Sequence, residues 1–351
     1  SEDRATYRRL QQELTKLQTH FEENLLDATQ AWKKHVTDQD MLSGLPQSVL
    51  GYLEQSAREN GFDEGWLLTL DFPCYLPVMQ YADDAGLRRE MYTAYNTRAS
   101  AEAGNDPQWD NSAVMVDILN KRQEVARLLG FASYADLSLA KKMAATPRQV
   151  LDFLTELADK SAPVAQSDLE QINRHAREKY TIDTLDAWDI AYYSEKLKQA
   201  MFRFSDEDLR PYFSVPNVLQ GLFAVVQRLY ELDIRPREGV TTWHDDVMFY
   251  DIYNSSGELQ GSFYLDLYAR QHKRGGAWMD ECVVRRKLDS AIQTPVAYLT
   301  CNFTPPVGGK PALITHDEVI TLFHEFGHGL HHMLTKVDYA GVSGINGVPW
   351  D

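Results

Sequence analysis

Near the end of the sequence two histidines bracket a glutamate in the order His324-Glu325-Phe326-Gly327-His328. Residues four apart lie one turn apart on the same side of a helix, so both imidazoles can reach one cation. Zinc takes histidine nitrogens at about 2.0–2.1 Å, and this H-E-x-x-H spacing supplies two such donors. The intervening Glu325 can then act as general base on a water beside the metal. The chemistry implied is metal-assisted hydrolysis, with His324 and His328 as Zn2+ ligands and Glu325 as the catalytic residue.

A catalytic zinc needs a third protein ligand and an open position. His331 shares the histidine face, but three histidines spread over seven residues span about 10.5 Å of helix axis, too far for one metal. His331 and His332 are therefore expected around the site or on the surface. The longer metzincin pattern would need glycine at His331 and histidine at Leu334, so it is absent. After His328 there is no glutamate, and the acids are Asp338 and Asp351. The third ligand is either one of these aspartates or lies beyond the sequence.

The helix that must hold these groups spans 315–334. Thr315 and Glu318 form a capping-box pair at its start. At about 100° per residue, Leu322, Phe323, Phe326, Leu330 and Leu334 share an apolar face, and the two motif histidines fall opposite it. Before it, residues 247–253 and 259–267 are β-rich runs joined by Asn254-Ser255-Ser256-Gly257, which predicts a hairpin. Residues 295–303 predict another strand, followed by a Pro/Gly loop.

The rest reads as helical. Tyr7, Leu10, Leu14, Leu17, Phe21, Leu25, Ala28 and Trp32 make one long apolar stripe, expected to be a core helix. Leu45-Pro46 opens a second helix through about Ala57. Further helices are predicted at 85–98, 112–129, 135–143, 147–179, 187–202 and 218–232, with Thr146-Pro147 as cap and first-turn proline. Pro163 is expected to kink or split its helix. Pro73 and Pro77 make 66–81 read as extended chain. Trp188 and Tyr192 are expected in the core, and Lys273-Arg274-Gly275-Gly276 reads as a mobile basic loop with some capacity to meet a peptide carboxylate. The fold class is thus mainly α with a minor β part, organised as a helical region over 1–236 and a small sheet with the zinc-binding helix over 237–351.

Composition bounds the partners. The chain has 351 residues, 44% hydrophobic and 25% charged, which are ordinary globular values. Its net charge of -16 disfavours nucleic acid and anionic membranes. The three cysteines, Cys74, Cys282 and Cys301, are odd in number and widely spaced, which suits free thiols in a reducing compartment. No signal peptide or membrane span is visible, so a cytoplasmic protein is expected.

The run Phe-His-Glu-Phe-Gly-His-Gly-Leu-His-His, with Thr315-His316-Asp317-Glu318-Val319 before it, resembles the thimet-oligopeptidase family of zinc metallopeptidases. The stretches Trp188-Asp189-Ile190-Ala191-Tyr192-Tyr193, 261–270, 295–303 and 341–350 resemble it too. The resemblance implies a mostly helical, two-lobed, zincin-like peptidase with a deep channel and zinc at its floor. It implies cytoplasmic cleavage of short peptides, including released signal peptides, by a protein that is monomeric when complete. It assigns His324 and His328 to zinc and Glu325 to the base. It also implies that this sequence is an internal fragment, inactive by itself, because the third ligand, a glutamate, is expected beyond Asp351 with the groups that stabilise the tetrahedral intermediate. An edge strand at 295–303 is expected to pair with the substrate backbone, with Thr300, Cys301 and Asn302 lining the cleft. Cys301 has the competing reading of a buried structural cysteine. Two rival functions remain: a non-catalytic helical scaffold with a vestigial motif, and an Asp-ligated zinc enzyme complete within these residues.

Overall fold

In a computed structural model that describes residues 2–348, the first two-thirds of the chain is helical. Helix α1 (Glu2–Ala31) buries Leu10 and Leu14 against Ile118 and Val125. Two short strands, β1 (Lys33–Val36) and β2 (Trp66–Thr69), pair antiparallel and flank α2 (Gln47–Glu59). Helices α3 (Phe72–Tyr81), α4 (Ala85–Asn96), α5 (Ser112–Leu128) and α6 (Tyr134–Leu139) follow. Next come α7 (Pro147–Tyr180), α8 (Ile190–Phe202), the single turn α9 (Asp206–Leu209) and α10 (Val215–Tyr230).

Three expectations are corrected here. Residues 72–81 form a helix instead of extended chain. Pro73 falls in the first turn, where its missing N–H costs nothing, and only Pro77 removes an internal bond. Burial of Cys74, Val78, Met79 and Tyr81 outweighs that single loss. Pro163 does not split α7, which runs unbroken for 34 residues. The carbonyl it leaves unpaired lies on an exposed stretch, where water can take the bond. Helix α6 ends at Leu139, short of the expected 143.

Tyr192 is buried and Trp188 packs on a core built from α2, α3, α4 and the β1–β2 pair, as the sequence led us to expect. Beside them Arg88, 2% exposed, meets Asp189 at 2.5 Å. It also donates to the carbonyl of Ala82 at 2.7 Å. A buried cation needs such partners, and here both terminal nitrogens find them while Nε has none among the described residues.

The sheet begins with β3 (Asp233–Pro236), and the predicted hairpin is β4 (Met248–Tyr253) and β5 (Leu259–Tyr268). Asn254 shapes its turn by accepting from the backbone of Ser256 and Glu258. Then come β6 (Trp278–Val283), the two-residue strands β7 (Arg286–Lys287) and β8 (Ile292–Gln293), and β9 (Val296–Phe303). The main sheet has the order β3-β4-β5-β9-β6. Only the β5–β9 pair is parallel, with Phe263 opposite Ala297 and Leu265 opposite Leu299.

Alternate residues of these strands point to one face and meet α10 and the last helix, α11 (His316–Leu334). Phe263, Leu265, Leu299 and Cys301 pack there with Val218, Leu222, Leu322 and Phe326. Helix α10, which precedes residue 236, joins this cluster through Val215, Val218, Leu219, Leu222 and Val226.

Candidate active site

Helix α11 starts as its sequence predicts. Thr315 Oγ1 accepts from the Glu318 backbone at 3.2 Å, and the Glu318 carboxylate accepts from the Thr315 backbone at 2.7 Å. Burial pushes the Glu318 carboxyl up, which the two threonine hydrogen bonds partly offset. The helix comes close to the sheet because two positions lack side chains. A Cβ on Gly329 would lie 2.9 Å from Leu299 Cδ2, and one on Gly261 would lie 2.8 Å from Met333 Cβ. Leu322, Phe326 and Met333 are buried on this contact, whereas Phe323, assigned by periodicity to the same face, is 37% exposed.

The opposite side carries the two motif histidines. His324 is exposed and His328 half-buried. Their Nε2 atoms lie 3.1 Å apart with the rings nearly perpendicular, at 84°. Two nitrogens held tetrahedrally at zinc distances stand about 3.3 Å apart, so this donor pair fits a shared zinc. Glu325, between them in sequence, is 8% exposed. It sits close enough to Cys301 for its charge to act on that thiol. Burial, then the Glu325 carboxylate, push the Cys301 thiol up to about 12. Cys301 is thus a buried neutral thiol, the bland reading of that residue.

Among the described residues no group of three or more His, Cys, Asp or Glu side chains could hold a metal. Asp338, a candidate third ligand, instead accepts from Arg285 at 3.2 Å and through its carbonyl from the Lys287 backbone at 2.9 Å. Asp351 lies outside the described residues, as does Trp350. His331 is exposed, while His332 is completely buried.

The expected edge strand needs correcting. Strand β9 lies between β5 and β6, so both its hydrogen-bonding sides are occupied. The outer strands are β3 and β6, and the one beside β9 is β6, which sequence reading missed. Thr300 is buried between Asp266 and Trp278, and Cys301 points into the core. Asn302 uses its amide to donate to the carbonyls of Arg274 and Gly276 at 2.8 and 2.7 Å, which fixes the loop leading into β6.

That loop is not loosely basic. Lys273 donates to Asp266 at 2.8 Å and to the Cys301 carbonyl at 2.6 Å, with its side chain 6% exposed. Arg270 and Trp243 also donate to Asp266. Burial alone would raise the Asp266 carboxyl, but the hydrogen bonds from Arg270, Lys273 and Trp243 win and hold it at about 2. The sequence signal was Asp266 itself: a lone acid among Leu265, Leu267 and Tyr268 on a strand demands a buried cation.

Comparison with known proteins now decides the family. Residues 78–351 match the model of peptidase family M3, a span holding the whole main sheet, α10 and α11. The chain belongs to peptidase family M3. Over all 351 residues it is 55% identical to oligopeptidase A of Escherichia coli strain K12, covering 100% of this chain and 52% of that protein. It is 43% identical over 364 residues to an organellar oligopeptidase A of Arabidopsis thaliana, covering 100% of this chain and 45% of the other. With the dipeptidyl carboxypeptidase of E. coli K12 it shares 32% identity over 345 residues, 98% of this chain and 50% of that one. The chain therefore spans about half the length of these M3 relatives. No helix among the described residues is long and apolar enough to cross a membrane.

Proposed function

We propose that the protein is a zinc-dependent endopeptidase of short peptides, released signal peptides among them, acting in the cytoplasm as a monomer. One observation carries this reading: in an M3 peptidase chain, the His324 and His328 Nε2 atoms converge to 3.1 Å on one face of α11, with Glu325 between them. The oligopeptidase names of the relatives support the substrate class. The cysteines, one exposed and two buried with no disulfide, support a reducing compartment.

His324 and His328 would hold the zinc through Nε2. When bound, zinc supplies Lewis acidity toward a peptide carbonyl and lowers the pKa of a bound water toward neutrality. Glu325 takes a proton from the attacking water and passes it to the leaving amine as the C–N bond breaks. Its low exposure keeps bulk water from competing for that proton. The outer edge of β6 holds the peptide backbone in extended form, so main-chain hydrogen bonds give affinity with broad tolerance of side chains. The position of β9 between β5 and β6 supports giving this role to β6 in place of Thr300, Cys301 and Asn302, with Asn302 steadying the loop before it. Among the described residues His324 and His328 are the donors that converge, so the 351-residue chain by itself holds zinc weakly and hydrolyses little.

The test is cleavage of a quenched fluorescent peptide by the full-length protein. Glu325→Gln should lower kcat by about 10²–10⁴-fold, the usual worth of a positioned base. Turnover of that variant at the wild-type rate would remove Glu325 from the mechanism.

A further inference from the structure

His324, His328 and His332 form a series with steps of four residues, each step rotating about 40° around the helix. Their exposure follows that rotation. His324 is exposed, His328 half-buried and His332 0% exposed. The third histidine therefore leaves the open side of α11 and turns under the sheet. There its Nε2 lies 3.1 Å from the carbonyl of Val283, the last residue of β6. A carbonyl only accepts, so the ring proton sits on Nε2 and Nδ1 is left as a bare acceptor.

The chain after α11 closes over this joint. Gly344, at φ +62°, lies so near the ring that a Cβ there would be 2.9 Å from His332 Nδ1. Asn346 donates to the Glu281 carboxylate of β6 at 2.6 Å. Asp338 takes the Arg285 and Lys287 contacts just past β6. Among the described residues, His332 Nδ1 and Ser343 Oγ are buried without a hydrogen-bond partner. An apolar residue of similar size would leave no such orphaned atom, so stability alone does not favour histidine here. What the imidazole adds is its hydrogen bond to the edge strand.

We propose that His332 is a positioning residue that ties the end of the metal-binding helix to β6 and so fixes the distance between Glu325 and the peptide-holding edge. This rests on the reading of α11 and β6 given above. His332 touches neither metal nor peptide; it acts through the Val283 carbonyl. A peptide long enough to pair along β6 depends on that distance at several hydrogen bonds. A peptide that reaches only the Glu325 end does not.

The experiment compares an eight-residue and a four-residue quenched peptide on the full-length enzyme, with zinc content measured alongside. His332→Leu should lower kcat/KM for the longer peptide by about tenfold, mainly through KM, and leave the shorter one and the zinc content near wild type. His332→Gln should restore the ratio, because its amide N–H can still donate to Val283. Gly344→Ala, which crowds the ring without deleting it, should shift the ratio in the same direction as His332→Leu. A purely structural role lowers kcat for both peptides together through loss of active enzyme, and an unchanged ratio in Gly344→Ala and His332→Leu overturns the proposal. Failure of the Glu325→Gln test would instead strike the reading of the site itself, whatever the His332 variants do.

Discussion

Helices α7 and α11 are both amphipathic, yet they stand on different supports. Helix α11 buries Leu322, Phe326 and Met333 to 1% exposure against the sheet. Along α7, Leu151, Leu154, Leu157 and Val164 are 52–60% exposed. Near its end α7 packs Ile172 and Ala176 against Tyr192 and Tyr193 of α8, but over its first half what holds it is local. Thr146 caps it, Pro147 opens it, and ion pairs Arg148–Asp152, Glu156–Lys160 and Glu170–Arg174 run along its surface at i,i+4 spacing. Such pairs contribute only about 0.3–0.5 kcal/mol each. Helix α11 instead draws on tertiary packing, which fixes its rotation and hence where His324, Glu325 and His328 point. The helix that bears the H-E-x-x-H motif is the one whose orientation the fold determines.

Substitutions can sharpen or break that contrast. The largest effect is expected at Phe326→Ala, which should cost about 3–5 kcal/mol in urea unfolding of this chain. Gly329→Ala should cost less, about 1–3 kcal/mol, since the new Cβ meets the movable end of Leu299. Leu154→Gln on α7 should change stability by no more than about 0.5 kcal/mol. A cost there equal to that of Phe326→Ala would end the distinction between the two helices.

The Asp266 clamp gives the sheet region a pH signature. Its carboxyl is held at about 2, well below the usual carboxylate range. The contribution is therefore complete above the unfolded-state value and lost as pH falls toward 2. Acid unfolding followed at Trp243, which donates to Asp266, should show a loss in that window. Asp266→Asn should flatten it.

Legibility in the sequence tracked the same divide. Helix α11 was readable because a capping box, a 3.6-residue stripe and the histidine spacing all agreed. The β4–β5 hairpin announced itself through β-rich runs around an Asn-Ser-Ser-Gly turn, and β9 through its own β-branched and aromatic residues. Strand β6 did not, since Trp-Met-Asp-Glu-Cys-Val gives an edge strand little apolar alternation. Helix α3 was hidden by prolines whose cost depends on their position in a turn. Lys273 was read as mobile because its partner, Asp266, is close only through the β5–β9 pairing.

The central claim is that α11 presents two zinc ligands and a base with separate tasks. It is tested most directly by measuring zinc content and peptide turnover together in the full-length protein carrying Glu325→Gln or His328→Ala. Glu325→Gln should keep stoichiometric zinc and lose turnover, and His328→Ala should lose both. Tight zinc in His328→Ala, or wild-type turnover in Glu325→Gln, would contradict the account.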